Sequence, residues 1–79
     1  MKPSKKSAGR SLVVCIENEG YAASLEPRKI YVSVPDEEAQ KHGLLRVIDE
    51  SGEDYLYPKT LFRALELPPP VKRAVLASA

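Results

Sequence analysis

One stretch constrains this chain more than any other: Asp54-Tyr55-Leu56-Tyr57-Pro58-Lys59-Thr60-Leu61-Phe62-Arg63-Ala64-Leu65. Tyr55, Leu56 and Tyr57 favour a pleated, half-buried surface. Pro58 has no N–H to give to a ladder, so a strand must stop or reach a sheet edge there. Lys59-Thr60-Leu61 is too short for an α-helix and suits one turn of 3₁₀. From Phe62 extended structure resumes. The expected order is strand, single turn, strand.

Three more strands are expected upstream. Ser11 to Glu17 is β-rich and almost wholly apolar, with Leu12, Val14 and Ile16 on one side and Val13 and Cys15 on the other. Asn18-Glu19-Gly20 breaks it, since Gly20 and Asn18 tolerate positive φ. Tyr21 to Arg28 reads as a long irregular loop. Lys29 to Val34 is the second strand, in which Ile30, Val32 and Val34 alternate with Lys29, Tyr31 and Ser33. The aliphatic set is assigned to the core. Pro35 to Gly43 carries every mark of a short helix. Ser33 or Asp36 can cap it, acids crowd its first turn, Lys41 and His42 its last, and Gly43 suits a left-handed end. With few apolar residues it reads as a surface insertion. Leu44 to Asp49 is the third strand and Glu50 to Glu53 a tight hairpin turning on Ser51-Gly52. The fourth strand starts at Glu53 or Asp54 and ends at Tyr57; the fifth runs from Phe62 to Leu67.

The division is then a basic tail over residues 1–10, a barrel over 11–67, and a proline linker with a short helix over 68–79. The tail has no apolar periodicity with which to order itself. Pro68-Pro69-Pro70 is expected as polyproline II. Val71 to Ala79 is a weak helix that docks or frays. The fold class is mainly all-β: a small five-stranded barrel with a short helical insertion and a possible C-terminal helix. The expected core is Val14, Ile16, Ile30, Val32, Leu45, Val47, Phe62 and Leu65, with either Leu56 or Tyr57. Alternation admits only one of those two.

Size and charge narrow the function. A chain of 79 residues buries only about 60% of its unfolded surface and leaves little room for a cofactor cavity. The net charge of +1 creates no field that selects nucleic acid or an acidic membrane. The single cysteine, Cys15, forms no internal disulfide and favours a reducing compartment. No apolar run reaches the ~20 residues of a membrane span, and the basic N-terminus precedes no signal-like segment. The expected location is the cytoplasm.

The residues that could carry chemistry are few. Cys15 sits among aliphatics, where a thiol acts as a small apolar side chain. His42 is the only histidine, so neither a multi-ligand metal site nor a nucleophile–base pair is visible. Asp49-Glu50-Ser51-Gly52-Glu53-Asp54 lacks the ligand spacing of a calcium loop. The chain's four glycines match no phosphate-binding motif. No enzyme activity, cofactor or metal is therefore expected. The tyrosines carry more information. Tyrosine beside a long loop offers large contact area at low entropic cost. The candidate contact residues are Tyr21, Leu25, Arg28, Tyr55 and Pro58. The acidic hairpin is expected at the opposing end, where its carboxylates stay in water.

From Leu12 to Leu67, and most specifically from Tyr55 to Leu65, the pattern resembles an SH3-like barrel, whose last two strands are joined by a 3₁₀ turn. Eukaryotic SH3 domains bind polyproline ligands with tyrosines, a tryptophan and the proline of that turn. Pro58 matches the proline, but tryptophan is absent and Leu61 stands at the groove-tyrosine position. The chain looks more like small bacterial SH3-like proteins of uncharacterised function. By architecture it is also similar to plasmid-type dihydrofolate reductase, whose Val-Gln-Ile-Tyr strand corresponds to Asp54-Tyr55-Leu56-Tyr57; Tyr55 replaces the catalytic glutamine. The resemblance implies a non-enzymatic module that binds a protein or peptide partner. The alternative is a nucleic-acid-associated barrel using Lys2, Lys5, Lys6 and Arg10.

Overall fold

The computed structural model describes residues 9–78. Five antiparallel strands curl into a half-barrel in the order β4-β3-β2-β1-β5. They are β1 (Ser11–Cys15), β2 (Ile30–Val34), β3 (Leu44–Ile48), β4 (Asp54–Pro58) and β5 (Phe62–Ala64). Helix α1 (Glu37–Lys41) joins β2 to β3, one 3₁₀ turn (Lys59–Leu61) joins β4 to β5, and α2 (Pro69–Ser78) follows. The fold class is the mainly all-β one expected. The tail expectation falls largely on residues 1–8, outside the described residues.

Pro58 closes β4 opposite Leu44. It is tolerated because β4 lies at the sheet edge, where no further strand needs its missing N–H. The 3₁₀ turn then reverses the chain, and Phe62 pairs with Cys15 across β1 and β5. Leu65 extends that ladder by donating its N–H to the Leu12 carbonyl at 3.0 Å.

The core lies on the concave face. Register places Val13 opposite Tyr31, Ser33 opposite Val47, Leu45 opposite Tyr57, and Cys15 opposite Phe62. Directly opposed residues project from the same face. Val13, Cys15, Tyr31, Val47, Tyr57 and Phe62 therefore meet, and Leu25 and Leu61 close the cluster. Phe62 lies edge-on to both Tyr31 and Tyr57, each centroid 6.3 Å away, an arrangement the ring quadrupoles favour.

This corrects the expected faces of β1 and β2. Val14 is half-buried, and Ile16 and Ile30 are exposed. The interior positions go to Val13, Cys15 and Tyr31 instead. The physical reason is Tyr31: its hydroxyl finds two hydrogen-bond partners, so a large ring can be buried without stranding a polar atom. Leu12 and Val32 face each other on the opposite side and are also buried, so both faces of β1 are covered for part of its length. Leu65, expected in the core, is half-buried beyond β5. Between Leu56 and Tyr57 the structure selects Tyr57, which is 4% exposed against 41% for Leu56.

Helix α1 is capped by Asp36, not Ser33. Asp36 Oδ1 accepts from the Ala39 N–H at 2.9 Å, and Oδ2 accepts from Arg46 Nε at 2.8 Å. Ala39 is the one buried residue of this helix. The proline run is also corrected. Pro69 and Pro70 form the first turn of α2, where an N–H would be unpaired in any case. The N–H groups of Val71 and Lys72 both donate to the Pro68 carbonyl.

Candidate interaction site

The expected loop over Tyr21 to Arg28 contains no helix or strand, but it is held in place by turns and hydrogen bonds. Ser24 and Leu25 donate their N–H groups to the Tyr21 carbonyl, each at 2.9 Å, and Asn18 Nδ2 donates to the Leu25 carbonyl at 3.0 Å. These bonds fold the loop inward and drive Leu25 into the core, where it is 0% exposed. At the loop's base Arg28 donates its N–H to the Cys15 carbonyl at 2.6 Å. Arg28 adopts φ 68°, a conformation non-glycine residues rarely take.

A polar clamp ties the loop to β2 and to the hairpin between β3 and β4. Glu50 donates its N–H to the Ser24 carbonyl at 3.1 Å. The Tyr31 hydroxyl accepts from the Glu26 N–H at 2.7 Å and donates to Glu50 Oε2 at 2.6 Å. Lys29 Nζ reaches the same oxygen at 2.6 Å. Lys29 and Tyr31 hold the Glu50 carboxyl below its ordinary range. Burial, then Glu50, push the Tyr31 phenol well up.

The hairpin is built on Asp49. Its Oδ1 accepts from the Ser51 N–H at 2.8 Å and from Ser51 Oγ at 2.6 Å, while Oδ2 accepts from the Tyr57 hydroxyl at 2.5 Å. Burial pushes this carboxyl up, but the bonds from Ser51 and Tyr57 outweigh it and leave it below the usual range. Gly52 supplies the positive φ, 88°, that the turn needs.

Loop and hairpin enclose a shallow depression of about 440 Å³. Tyr21, Ser24, Ser51, Tyr55 and Leu56 line it over a floor of Tyr57 and Asp49. Tyr21 stands edge-on to Tyr57 at 5.1 Å. Tyr55 is half exposed and donates its hydroxyl to Glu53 Oε1 at 2.9 Å. A larger depression of about 760 Å³ lies between Arg10, Pro35 and Asp54, but no aromatic ring lines it.

Two of the five predicted contact residues, Tyr21 and Tyr55, meet at this depression. Leu25 lies beneath it, with no surface to offer a partner. Arg28 is exposed at the loop base and outside the lining. Pro58 stands three residues beyond Tyr55 along β4, about 10 Å away at the rise of a strand, and does not line it either. The acidic hairpin is not at the opposing end; it forms one wall of the depression, because Glu50 bonds directly to the loop. Sequence reasoning missed Ser24, Ser51 and Asp49. The Asp49-x-Ser51 spacing of an Asx turn was the available signal for the last two.

Cys15 is buried, its thiol directed at the Glu17 carbonyl 3.3 Å away. Exposed His42 closes α1. Among the described residues, no group of three or more His, Cys, Asp or Glu could hold a metal ion, and no helix is long and apolar enough to cross a membrane. Compared with protein-family models, curated proteins and solved structures, the chain matches none.

Proposed function

We propose that this chain is a non-enzymatic, SH3-like interaction module that seats a protein partner on the depression between its first loop and its β3–β4 hairpin. The observation that carries this reading is the placement of Tyr21 and Tyr55. Both rings are exposed, at 36% and 50%, yet each is positioned by its neighbours, Tyr21 by the Tyr57 ring and Tyr55 by Glu53. Pre-positioned tyrosines lose little freedom on binding and supply most of the contact energy at many interfaces. The strand order and the 3₁₀ turn before β5 support the SH3-like assignment. A lone buried thiol fits a cytoplasmic setting.

The test is capture followed by mapping. Immobilised chain recovers binding proteins from its native cell, with a Tyr55→Ala variant as control. The recovered protein is then titrated against the labelled chain by NMR. Amide shifts centred on Tyr21, Ser51 and Tyr55 are expected. Shifts confined to Lys59, Arg63, Lys72 and Arg73, weakening steeply with salt, would instead assign the chain to nucleic-acid binding.

A further inference from the structure

Of the residues that line the depression only Asp49 is charged, but the two segments that supply that lining are acidic. Residues 16–29 and 49–55, which build it, contain seven of the chain's 11 carboxylates and only two of its 12 Lys and Arg residues. Outside these segments the described residues hold four carboxylates and seven cations, so a net charge of +1 conceals an uneven distribution. Several of the seven are already committed. Glu50 is paired with Lys29, Asp49 is bonded to Ser51 and Tyr57, and Asp54 lies 3.6 Å from Arg46. Glu17, Glu19, Glu26 and Glu53 form no ion pair among the described residues.

The same corner contains a worked example of what such carboxylates and rings hold. Lys29 Nζ lies 5.8 Å over the Tyr31 ring, its ammonium bonded to the carboxylate that accepts the Tyr31 hydroxyl. Cation, ring and carboxylate reinforce one another, because the ring face and the carboxylate both attract positive charge. Tyr55, which lines the depression, and Glu53, which lines the neighbouring larger one and accepts the Tyr55 hydroxyl at 2.9 Å, repeat two of these three parts. No cation of the described residues completes the set.

Building on the interaction reading above, we propose that the partner presents a basic segment, and that one of its lysine or arginine side chains lies over Tyr55 against Glu53, flanked by Tyr21. The aliphatic stem of that side chain rests on Leu56 and the tyrosine rings, which line the same depression. An anionic partner such as nucleic acid is repelled from this face.

The probe is a set of three synthetic ten-residue peptides with one Gly/Ser/Leu frame, carrying two arginines, two glutamines or two glutamates. Each is titrated into the labelled full chain at low salt. The arginine peptide is expected to shift Tyr21, Ser51 and Tyr55, with millimolar affinity and binding about fivefold tighter than the glutamine peptide. The glutamate peptide leaves these residues unmoved. Glu53→Gln weakens the arginine peptide about threefold while the remaining spectrum is preserved, showing that the fold is intact. Equal shifts from the arginine and glutamine peptides, or none at these residues from the arginine peptide up to about 5 mM, overturn the cationic assignment. If the captured protein still shifts this depression, the interaction face stands and only the cation falls. If neither ligand touches it, both readings fall.

Discussion

The Tyr57 hydroxyl donates to Asp49 Oδ2 at 2.5 Å, joining two residues almost entirely shielded from water on either side of the β3–β4 hairpin. A buried carboxylate tolerates that position only while its oxygens are bonded. Removing the phenol oxygen leaves Oδ2 without this partner and the ring otherwise in place. Tyr57→Phe is expected to cost about 1.5–3 kcal/mol, the range for a hydrogen bond to a charged group. Urea denaturation measures it. A loss below about 0.5 kcal/mol would show that water replaces the hydroxyl and that the hairpin does not depend on this bond.

Phe62 begins β5 where the half-barrel closes, buried against Cys15, Tyr31 and Tyr57. Phe62→Ala removes a whole ring from this contact and is expected to cost about 3–5 kcal/mol. That approaches the total stability of a domain this small. Loss of near-ultraviolet ellipticity at room temperature is the expected readout. A variant that keeps its denaturation midpoint would move Phe62 out of the core.

Leu25 and Ile30 test the register in opposite directions. Leu25 lies in a loop yet is fully buried, whereas Ile30 lies in a strand yet is 43% exposed. Leu25→Ala is expected to destabilise by about 2–5 kcal/mol, and Ile30→Ala by much less. The reverse order would mean that β2 is turned over, with the aliphatic face inside.

How far the sequence could be read depends on where the deciding physics lay. The strands, the Asp36-capped helix and the 3₁₀ turn are set by neighbouring residues: proline at a strand end, acids in a first turn, glycine after a last one. They were legible. The inward face of β2 was not. Ile30, Val32 and Val34 outscore Lys29, Tyr31 and Ser33 in hydrophobicity, but Tyr31 wins its place through Glu26 and Glu50. Glu50 lies 19 residues away in sequence, and no alternation rule sees that partner. The candidate site follows the same division. Tyr21 and Tyr55 could be picked out by residue type. That Leu25 is an anchor and the acidic hairpin a neighbouring wall depends on the bond from Glu50 to Ser24.

The ionisable network predicts a stability plateau bounded on both sides. Asp36, Asp49 and Glu50 have folded pKa values below their ordinary ones. A depressed carboxyl contributes stability that is complete above its unfolded pKa, about 4, and is lost as pH falls through the folded value. Tyr31 and Tyr57 are raised, first by burial and then by Glu50 and Asp49 respectively. Their contribution is complete below about pH 10 and is lost as pH rises toward their folded values. The melting temperature should therefore be flat through neutrality, fall below about pH 4 and fall again above about pH 10. In Tyr57→Phe the acid limb should become shallower, because Asp49 loses one of the bonds that depress it. An unchanged acid limb would place the carboxylate contribution elsewhere.

Tyr55 offers the cleanest separation of function from fold. Tyr21 cannot serve, because its ring supports Tyr57 at 5.1 Å, and Tyr21→Ala would weaken the core by about 0.5–1.5 kcal/mol through that contact alone. Tyr55 is half exposed, and among the described residues its hydroxyl bonds to Glu53 alone, itself at the surface. Tyr55→Ala is therefore expected to leave the denaturation midpoint within error. Its effect on binding should be large, because truncating a central interface tyrosine commonly costs tenfold or more in affinity. Isothermal titration with the captured partner, beside a melting curve of the same variant, provides both measurements. Unchanged affinity at unchanged stability would take Tyr55 out of the interface and with it the reading of this depression as the contact surface.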